Sequence, residues 1–136
     1  MLAERDKWLR FYAERGLATL PLRPREKRPL RRGWRTPTPD AWVGAPADAN
    51  VGILCGAPSG DLVVLDFDSR DGPREILGVR AEELAVHTLV VRTWRGWHVY
   101  ARSVNCRTHS PLAGLDIRAE GSLVVAPPSV HPSGDR

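Results

Sequence analysis

A single stretch of the chain, Leu62–Asp68, sets the tightest limit on what this sequence can fold into. It starts with four apolar residues and ends in two carboxylates, in the order Leu-Val-Val-Leu-Asp-Phe-Asp. Because side chains two apart on a β-strand point to the same face, Asp66 and Asp68 are predicted to project together at the end of a buried strand. The opposite face is predicted to carry Val63, Leu65 and Phe67.

This pair of acids indicates a metal site. Two carboxylates held close together repel each other unless a cation lies between them, and a hard divalent ion with oxygen ligands fills that role well. We therefore interpret Asp66 and Asp68 as ligands for a metal used in phosphate chemistry. Two alternatives stay open at this point, namely a turn at the end of a strand and a surface patch that binds nothing.

The composition is typical of one soluble globular domain. The chain has 136 residues, of which 42% are hydrophobic and 26% charged. No apolar run approaches the roughly 20 residues that span a bilayer, and the N-terminus lacks the apolar stretch of a signal peptide, so we expect a cytoplasmic protein. Cys55 and Cys106 are too few for a disulfide framework or a four-cysteine zinc site. The half-motif Cys106-x-x-His109 is interpreted as an ordinary loop.

The charge is positive and comes almost entirely from arginine. The formal net charge is +4 and the sequence pI is about 9.7. Arginine suits bidentate phosphate contacts, so this balance fits an enzyme that handles nucleotides or nucleic acid, although codon bias in a high-GC genome produces the same composition. Seven of the thirteen residues in Arg23–Arg35 are basic. This segment is either a phosphate-facing loop or a solvated one.

The periodicity and the turn signals predict an α+β fold with a mixed, largely antiparallel sheet, flanking helices and a small N-terminal αβ unit, all in one domain covering residues 1–136. The chain ends at Ser133–Arg136 without a closing element, so we expect a shortened chain or a piece of a longer protein, with a natural end as the alternative. Helices are predicted at Leu2–Arg15 with Gly16 as its end, from Thr38 through Trp42, and at Arg74–Val86 with a break at Gly78. The strand at Asn50–Gly56 is predicted to form a hairpin with the Leu62 strand through Ala57–Gly60. The strands at Leu89–Arg92 and Trp97–Tyr100 are predicted to be joined by a tight turn at Arg95–Gly96. Further strands are predicted at Leu17–Leu22, Leu115–Arg118 and Leu123–Ala126.

Further charged side chains accompany the acid pair. Asp116 lies in a short apolar strand, His98 follows a glycine turn, and Arg95 and Arg118 flank these positions. Three carboxylates are the usual supply for two magnesium or manganese ions in phosphoryl and nucleotidyl transfer, and a histidine with arginines would bind a triphosphate. The alternatives are a structural role for His98 and an ion pair of Asp116 with Arg118 or Arg95.

The order and spacing of several segments resemble the bifunctional DNA primase/polymerase (prim-pol) domain of the archaeo-eukaryotic primase superfamily. The resemblance covers nearly the whole chain. It implies an RRM-like primase catalytic core. The segments that carry it are Gly16–Leu22, Lys27–Pro29, Gly33–Trp34, Asn50–Ile53, Leu62–Asp68, Arg95–Tyr100, Gly114–Arg118 and Val125–His131.

The resemblance also implies roles for individual residues. Asp66 and Asp68 match the paired acids that ligate the catalytic Mg²⁺ or Mn²⁺ ions, and Asp116 matches the acid that completes this two-metal site. His98 matches a histidine that contacts the phosphates of the incoming nucleotide. Phosphate or nucleotide contact is also expected for Lys27, Arg95 and Arg118, and Ser129 and His131 are expected in the pocket wall.

The implied activity is template-directed nucleotidyl transfer from nucleoside triphosphates to a 3′-hydroxyl. The expected partners are a DNA template and primer, with a helicase or primer-initiating domain in the full-length protein, and no membrane. Two departures stand out, since Gly96 replaces a frequent serine and Trp94 stands where a small residue or proline is common. The rival functions are a non-catalytic nucleic-acid-binding module and a metal-dependent nuclease or nucleotide hydrolase.

Overall fold

The computed structural model describes residues 3–131. Leu2, the predicted helix start, and Ser133–Arg136, the predicted open end, lie outside these residues. No helix in the described part of the chain is long and apolar enough to cross a membrane. The helices are α1 (Glu4–Glu14), α2 (Gly72–Leu77) and α3 (Ala81–Leu84), with a short 3-10 helix at Ala57–Ser59. The strands are β1 (Thr19–Leu22), β2 (Asn50–Leu54), β3 (Leu62–Phe67), β4 (Val90–Arg92), β5 (Trp97–Arg102), β6 (His109–Leu112), β7 (Leu115–Arg118) and β8 (Leu123–Ala126).

The strands form two sheets, which confirms the α+β class. One sheet has three strands in the order β1-β2-β8, and the other has five in the order β4-β5-β3-β7-β6. Every pairing between these strands in the described chain is antiparallel. In the larger sheet β3 lies at the centre, so it has a hydrogen-bonded neighbour on each side.

The hairpin predicted at Ala57–Gly60 is wrong, because the strands on either side of it belong to different sheets. β2 and β3 are joined by a 3-10 turn, and an isolated bridge links Gly56, which follows β2, to Leu62 at the start of β3. Gly56 has a φ of +84°, and a Cβ placed there would lie 2.6 Å from the Cα of Glu120. The glycine thus lets the chain turn sharply from one sheet to the other.

The helix predicted from Thr38 is also wrong. Residues 39–44 form successive turns, whose backbone hydrogen bonds run over three residues, from Ala41 to Thr38 and from Val43 to Asp40. Gly44 follows with a φ of +76° and ends the segment. The stretch is too short to recover the cost of nucleating an α-helix.

One strand was missed by the sequence interpretation. The half-motif Cys106-x-x-His109 is interpreted as a loop from the sequence, but His109–Leu112 forms β6 at the edge of the larger sheet. Pro111 argues against a strand at this position in the sequence, because proline is depleted in strands and is tolerated mainly at sheet edges. The sulfur of Cys106 donates to the carbonyl of Arg107, as in an ordinary loop.

Two glycines end helices at the positions predicted from the sequence. α1 ends at Glu14 and Gly16 follows with a φ of +71°, as expected for a residue that terminates a helix. Gly78 has a φ of +73° and separates α2 from α3 within the predicted helical stretch. The positions of these helices therefore follow from local sequence.

The alternation of β3 divides its side chains between two apolar clusters. Val64 packs between the two sheets with Tyr12, Val51 and Tyr100. Phe67 lies in a second cluster on the other face of the larger sheet, against the residues of α2 and α3, and Leu65 packs there as predicted. Asp66, two residues after Val64, consequently faces the space between the sheets.

Two buried tyrosines offer a matched test of the packing between the sheets. The hydroxyl of Tyr12 donates a hydrogen bond of 2.6 Å to the carbonyl of Pro127, whereas the hydroxyl of Tyr100 is buried without a partner among residues 3–131. Tyr12→Phe is expected to lower the free energy of unfolding by about 1 kcal/mol, and Tyr100→Phe is expected to leave it unchanged or raise it. Urea denaturation measures both. An equal loss in the two variants would contradict the assigned partners.

Candidate active site

A cleft of about 940 Å³ opens between the two sheets. One wall is formed by the end of β3, by His98 and by residues 91–95 of β4 and its turn. The opposite wall is formed by β8 and by residues 127–131, and Trp8 and Lys27 reach the cleft from α1 and the basic loop. Asp66 and Asp68 both line this cleft. The cleft therefore brings together most of the predicted site residues, but Asp116 is not among the residues that line it.

Strand register places three polar residues in one row across the larger sheet. Asp66 of β3 lies directly opposite His98 of β5 on one side and directly opposite Asp116 of β7 on the other. Directly opposed residues of antiparallel strands point to the same face, with their Cβ atoms about 5 Å apart. The sheet thus aligns His98, Asp66 and Asp116 side by side.

Arg118 connects the two carboxylates of this row. It lies two residues after Asp116 on β7, so both side chains are on the same face. Its Nη2 is 3.6 Å from Oδ2 of Asp66 and 3.5 Å from Oδ2 of Asp116. The ion pair that was left open for Asp116 is therefore formed with Arg118. Ser110 of β6 donates a further hydrogen bond to Asp116.

His98 flanks the central carboxylate on the other side. Its Nε2 lies 3.4 Å from Oδ1 of Asp66, and its side chain is only 11% exposed. Its Nδ1 is buried and has no hydrogen-bond partner among residues 3–131. The imidazole is thus oriented by Asp66 while one of its ring nitrogens stays unused within the described chain.

The surroundings of Asp66 favour its charged form. Burial by itself raises the pKa of this carboxyl, but the hydrogen bond and charge of His98 lower it, and so do the charges of Arg118 and Lys27. The net result is a pKa below the ordinary value of 3.8. Asp66 is therefore a half-buried negative charge at neutral pH, surrounded by cationic groups.

Asp68 lies one residue beyond the end of β3 and is exposed. Its backbone N–H donates to the carbonyl of Gly114, which keeps the chain next to β7 after the strand has ended. Asp116 contacts the site through Arg118, and the part of the chain seen in the structure contains no group of three His, Cys, Asp or Glu side chains arranged to hold a metal. The three predicted acids are thus near one another without forming a ready-made cage.

The turn between β4 and β5 is held by hydrogen bonds from Arg70 and by the close packing of Gly96 against the end of β3. The guanidinium of Arg70 donates to the carbonyls of Thr93, Gly96 and Trp94 at 2.8, 2.7 and 3.1 Å. A Cβ on Gly96 would lie 1.9 Å from the carbonyl oxygen of Phe67, so glycine is required for the turn to pack against the end of β3. This turn carries Arg95 into the lining of the cleft.

The opposite wall is held by Asn50 and Ser129. The Asn50 side chain is buried, donates to the carbonyls of Glu26 and Val130, and accepts from the N–H of Val130. Ser129 Oγ accepts from the N–H of Val51 and donates to its carbonyl. These bonds tie residues 127–131 to β2 and place Ser129 and His131 in the cleft wall, as predicted.

Sequence reasoning missed the roles of Arg70 and Asn50. Arg70 bonds to residues more than 20 positions away, which nothing in its local sequence indicates. The sequence gives one indication for Asn50, which is a polar residue at the start of an apolar strand. Such a residue needs several hydrogen-bond partners when it is buried.

The basic segment Arg23–Arg35 is divided in function. Arg31 donates to the carbonyls of Ala41 and Val43, and Arg35 donates to that of Gly121, so these two arginines hold the loop in place. Lys27 lines the cleft and lowers the pKa of Asp66. The exposed remainder is Arg23, Arg25, Arg28 and Arg32.

An α+β domain that gathers acids, a histidine and cationic side chains in an open cleft at the end of a central strand is suited to ligands carrying phosphate. The chain belongs to the family described as bifunctional DNA primase/polymerase, N-terminal, which it matches over residues 9–136. The resemblance seen in the sequence is therefore confirmed. At the level of the family, this membership points to DNA primase/polymerase activity and to interaction with DNA and nucleotides. A search of curated proteins finds no match for the chain.

The lowered pKa of Asp66 predicts how stability depends on pH. Because the folded-state pKa lies below the ordinary one, the stabilisation is complete well above pH 3.8 and is lost as the pH falls through the folded-state pKa. Asp66→Asn should therefore lower the free energy of unfolding at pH 7 and have a shrinking effect below about pH 4. Urea titrations with a chelator present measure the difference. A difference that stays constant from pH 7 to pH 3 would contradict the assigned charge interactions.

Proposed function

We propose that this chain is a nucleotidyltransferase that extends a 3′-hydroxyl on a DNA template with nucleoside triphosphates. The observation that carries the proposal is the row of His98, Asp66 and Asp116, with Arg118 bridging the acids, at the edge of the cleft between the sheets. Family membership supports the same class of reaction. The cleft volume of about 940 Å³ is sufficient for a nucleotide.

The acids fit a hard divalent cation in their chemistry. Asp66 and Asp116 already direct an oxygen each towards one cationic group, the guanidinium of Arg118, which stands in for a metal between them. Carboxylate oxygens are the ligands that Mg²⁺ and Mn²⁺ prefer. Asp66, Asp68 and Asp116 would therefore hold the metal once Arg118 moves aside. When bound, the metal would lower the pKa of the attacking hydroxyl and neutralise charge on the phosphates.

The cationic side chains would bind and orient the triphosphate. Arg95 is presented by a turn that Arg70 holds in place, so little conformational freedom of the backbone is lost when it contacts a phosphate. His98 lines the cleft next to Asp66, and Lys27 enters the cleft from the basic loop. Arg118, released from the acids, would pair with a phosphate instead. Each of these groups would stabilise charge on the transferring phosphate.

The exposed arginines of the basic loop would bind the phosphate backbone of the DNA template. Arg23, Arg25, Arg28 and Arg32 are exposed and form no ion pair with an acid in the described chain. The loop that carries them also contributes Lys27 to the cleft. A phosphate backbone lying along this loop would therefore reach the site, and binding would weaken as salt is raised.

Removal of the central acids tests the enzymatic proposal. Asp66→Asn/Asp68→Asn is expected to abolish Mn²⁺-dependent lengthening of a labelled primer on a template, because the metal loses two of its ligands. The matched control is Glu82→Gln/Glu83→Gln, which changes the net charge equally on exposed positions of α3 and should retain activity. A shortened strand instead of a lengthened one would identify a nuclease. DNA binding without any product, in wild type and variants alike, would favour the non-catalytic module.

Replacement of Arg118 tests its competition with the metal. An ion pair of this exposure contributes up to about 1 kcal/mol, so Arg118→Gln is expected to tighten Mn²⁺ binding by about two- to fivefold when no nucleotide is present. Arg118→Lys keeps the charge and is the control. Calorimetric titration of Mn²⁺ measures both affinities. Weaker binding in Arg118→Gln than in Arg118→Lys would contradict the competition.

A further inference from the structure

Two aromatic rings that line the cleft are stacked on each other. The indole of Trp94 and the imidazole of His131 lie 4.4 Å apart between centroids and only 13° from parallel. Trp94 belongs to the turn between β4 and β5 in the larger sheet, and His131 follows β8 of the smaller sheet. Both residues line the cleft that contains Asp66 and Asp68. The stack therefore bridges the two walls of the cleft.

Trp94 lies outside the apolar core of the fold. Its side chain is 43% exposed, and it belongs to none of the three apolar clusters found in residues 3–131. Its backbone, however, is firmly held, since Arg70 bonds the carbonyls of Trp94 and both ends of the turn. An exposed large aromatic ring on a rigid support indicates a binding surface rather than a core residue.

The segment that carries His131 is also held by hydrogen bonds. Asn50 bonds both the N–H and the carbonyl of Val130, and Ser129 bonds the backbone of Val51. Both rings are thus carried by segments that are tied to the sheets by buried hydrogen bonds. Because the two rings are only 4.4 Å apart, a flat ligand would have to take the place of the imidazole on the indole face of Trp94.

We propose that Trp94 is a stacking platform for a nucleobase and that His131 occupies the position of that base when no ligand is bound. This inference rests on the proposed function, because it assumes that the ligand in the cleft is a nucleotide or DNA. Base–aromatic stacking is strong and tolerates any base, since every base has a π-face. A purine or pyrimidine also covers more of the indole than the smaller imidazole does, so the base displaces His131.

The guanidinium of Arg95 indicates where the phosphates of such a ligand would bind. The guanidinium of Arg95 lies 4.9 Å from the ring centroid of Trp94, and Arg95 lines the same cleft. A base stacked on Trp94 would therefore lie close to a cation that can contact its phosphates. The base comes either from the incoming nucleotide or from the template, and both share this chemistry.

The experiment compares ligand binding in Trp94→Ala, Trp94→Phe and a control. Leu112→Ala is the control, because it also removes an exposed apolar side chain but lies on edge strand β6, outside the cleft lining. Trp94→Ala is expected to weaken binding of a nucleoside triphosphate with Mn²⁺ by about fivefold to a hundredfold. Trp94→Phe should recover most of the loss, and Leu112→Ala should bind like the wild type. Equal thermal unfolding midpoints show that the variants are folded.

The ligands separate stacking from phosphate binding. Inorganic tripolyphosphate has no base, so its affinity should be unchanged by Trp94→Ala. A loss confined to the nucleoside triphosphate identifies the incoming nucleotide as the source of the base. A loss confined to single-stranded DNA, and missing when that strand is abasic, identifies the template. Unchanged binding of both ligands would overturn the stacking proposal.

Two further results complete the test. His131→Ala is expected to leave nucleotide affinity unchanged or higher, because it removes the group that holds the place of the base. A loss as large as that of Trp94→Ala would overturn this role for His131. If the wild type binds neither nucleotide nor DNA, the proposed function itself fails. If the wild type binds but Trp94→Ala binds equally well, only the stacking proposal fails.

Discussion

The antiparallel pairing of β3 with strands on both sides is the constraint on which the rest of the site depends. It gives Asp66 a directly opposed neighbour on each side, His98 and Asp116, and puts all three on the face that looks into the cleft. A slip of one residue in either pairing would turn a neighbour to the opposite face. The apolar clusters above and below β3 prevent such a slip, because Val64 and Phe67 are each fully buried on their own side.

A half-buried carboxylate needs compensation, and the protein supplies it from its own side chains. Arg118 and His98 flank Asp66 and lower its pKa against the effect of burial, so the domain carries its acid without depending on a bound cation. We propose that Arg118 and His131 exchange partners when ligand binds. Arg118 moves from the acids to a phosphate, and the imidazole of His131 gives up the face of Trp94 to a base. The fold is then already arranged around the shape and charge of its ligand.

Much of the arrangement was predictable because its signals are local. The period of two in β3, the acids at its end and the glycines after α1 and α2 are all legible in a few residues. The division into two sheets was not, since the linker at 57–60 reads as a hairpin whether or not its strands pair. The ion pair between Asp116 and Arg118 was accessible as an i, i+2 pair on one strand. The supports built by Arg70 and Asn50 were not, because their partners are distant in sequence.

The most direct test of this account is a crystal structure of the protein grown with Mn²⁺ and a non-hydrolysable nucleoside triphosphate, with the anomalous signal of manganese recorded. The account predicts a manganese peak within coordination distance of the Asp66 and Asp116 carboxylates, and a guanidinium of Arg118 that has left both acids for a phosphate. Manganese bound elsewhere, with Arg118 still bridging Asp66 and Asp116, would contradict the claim that this row of side chains is the catalytic centre.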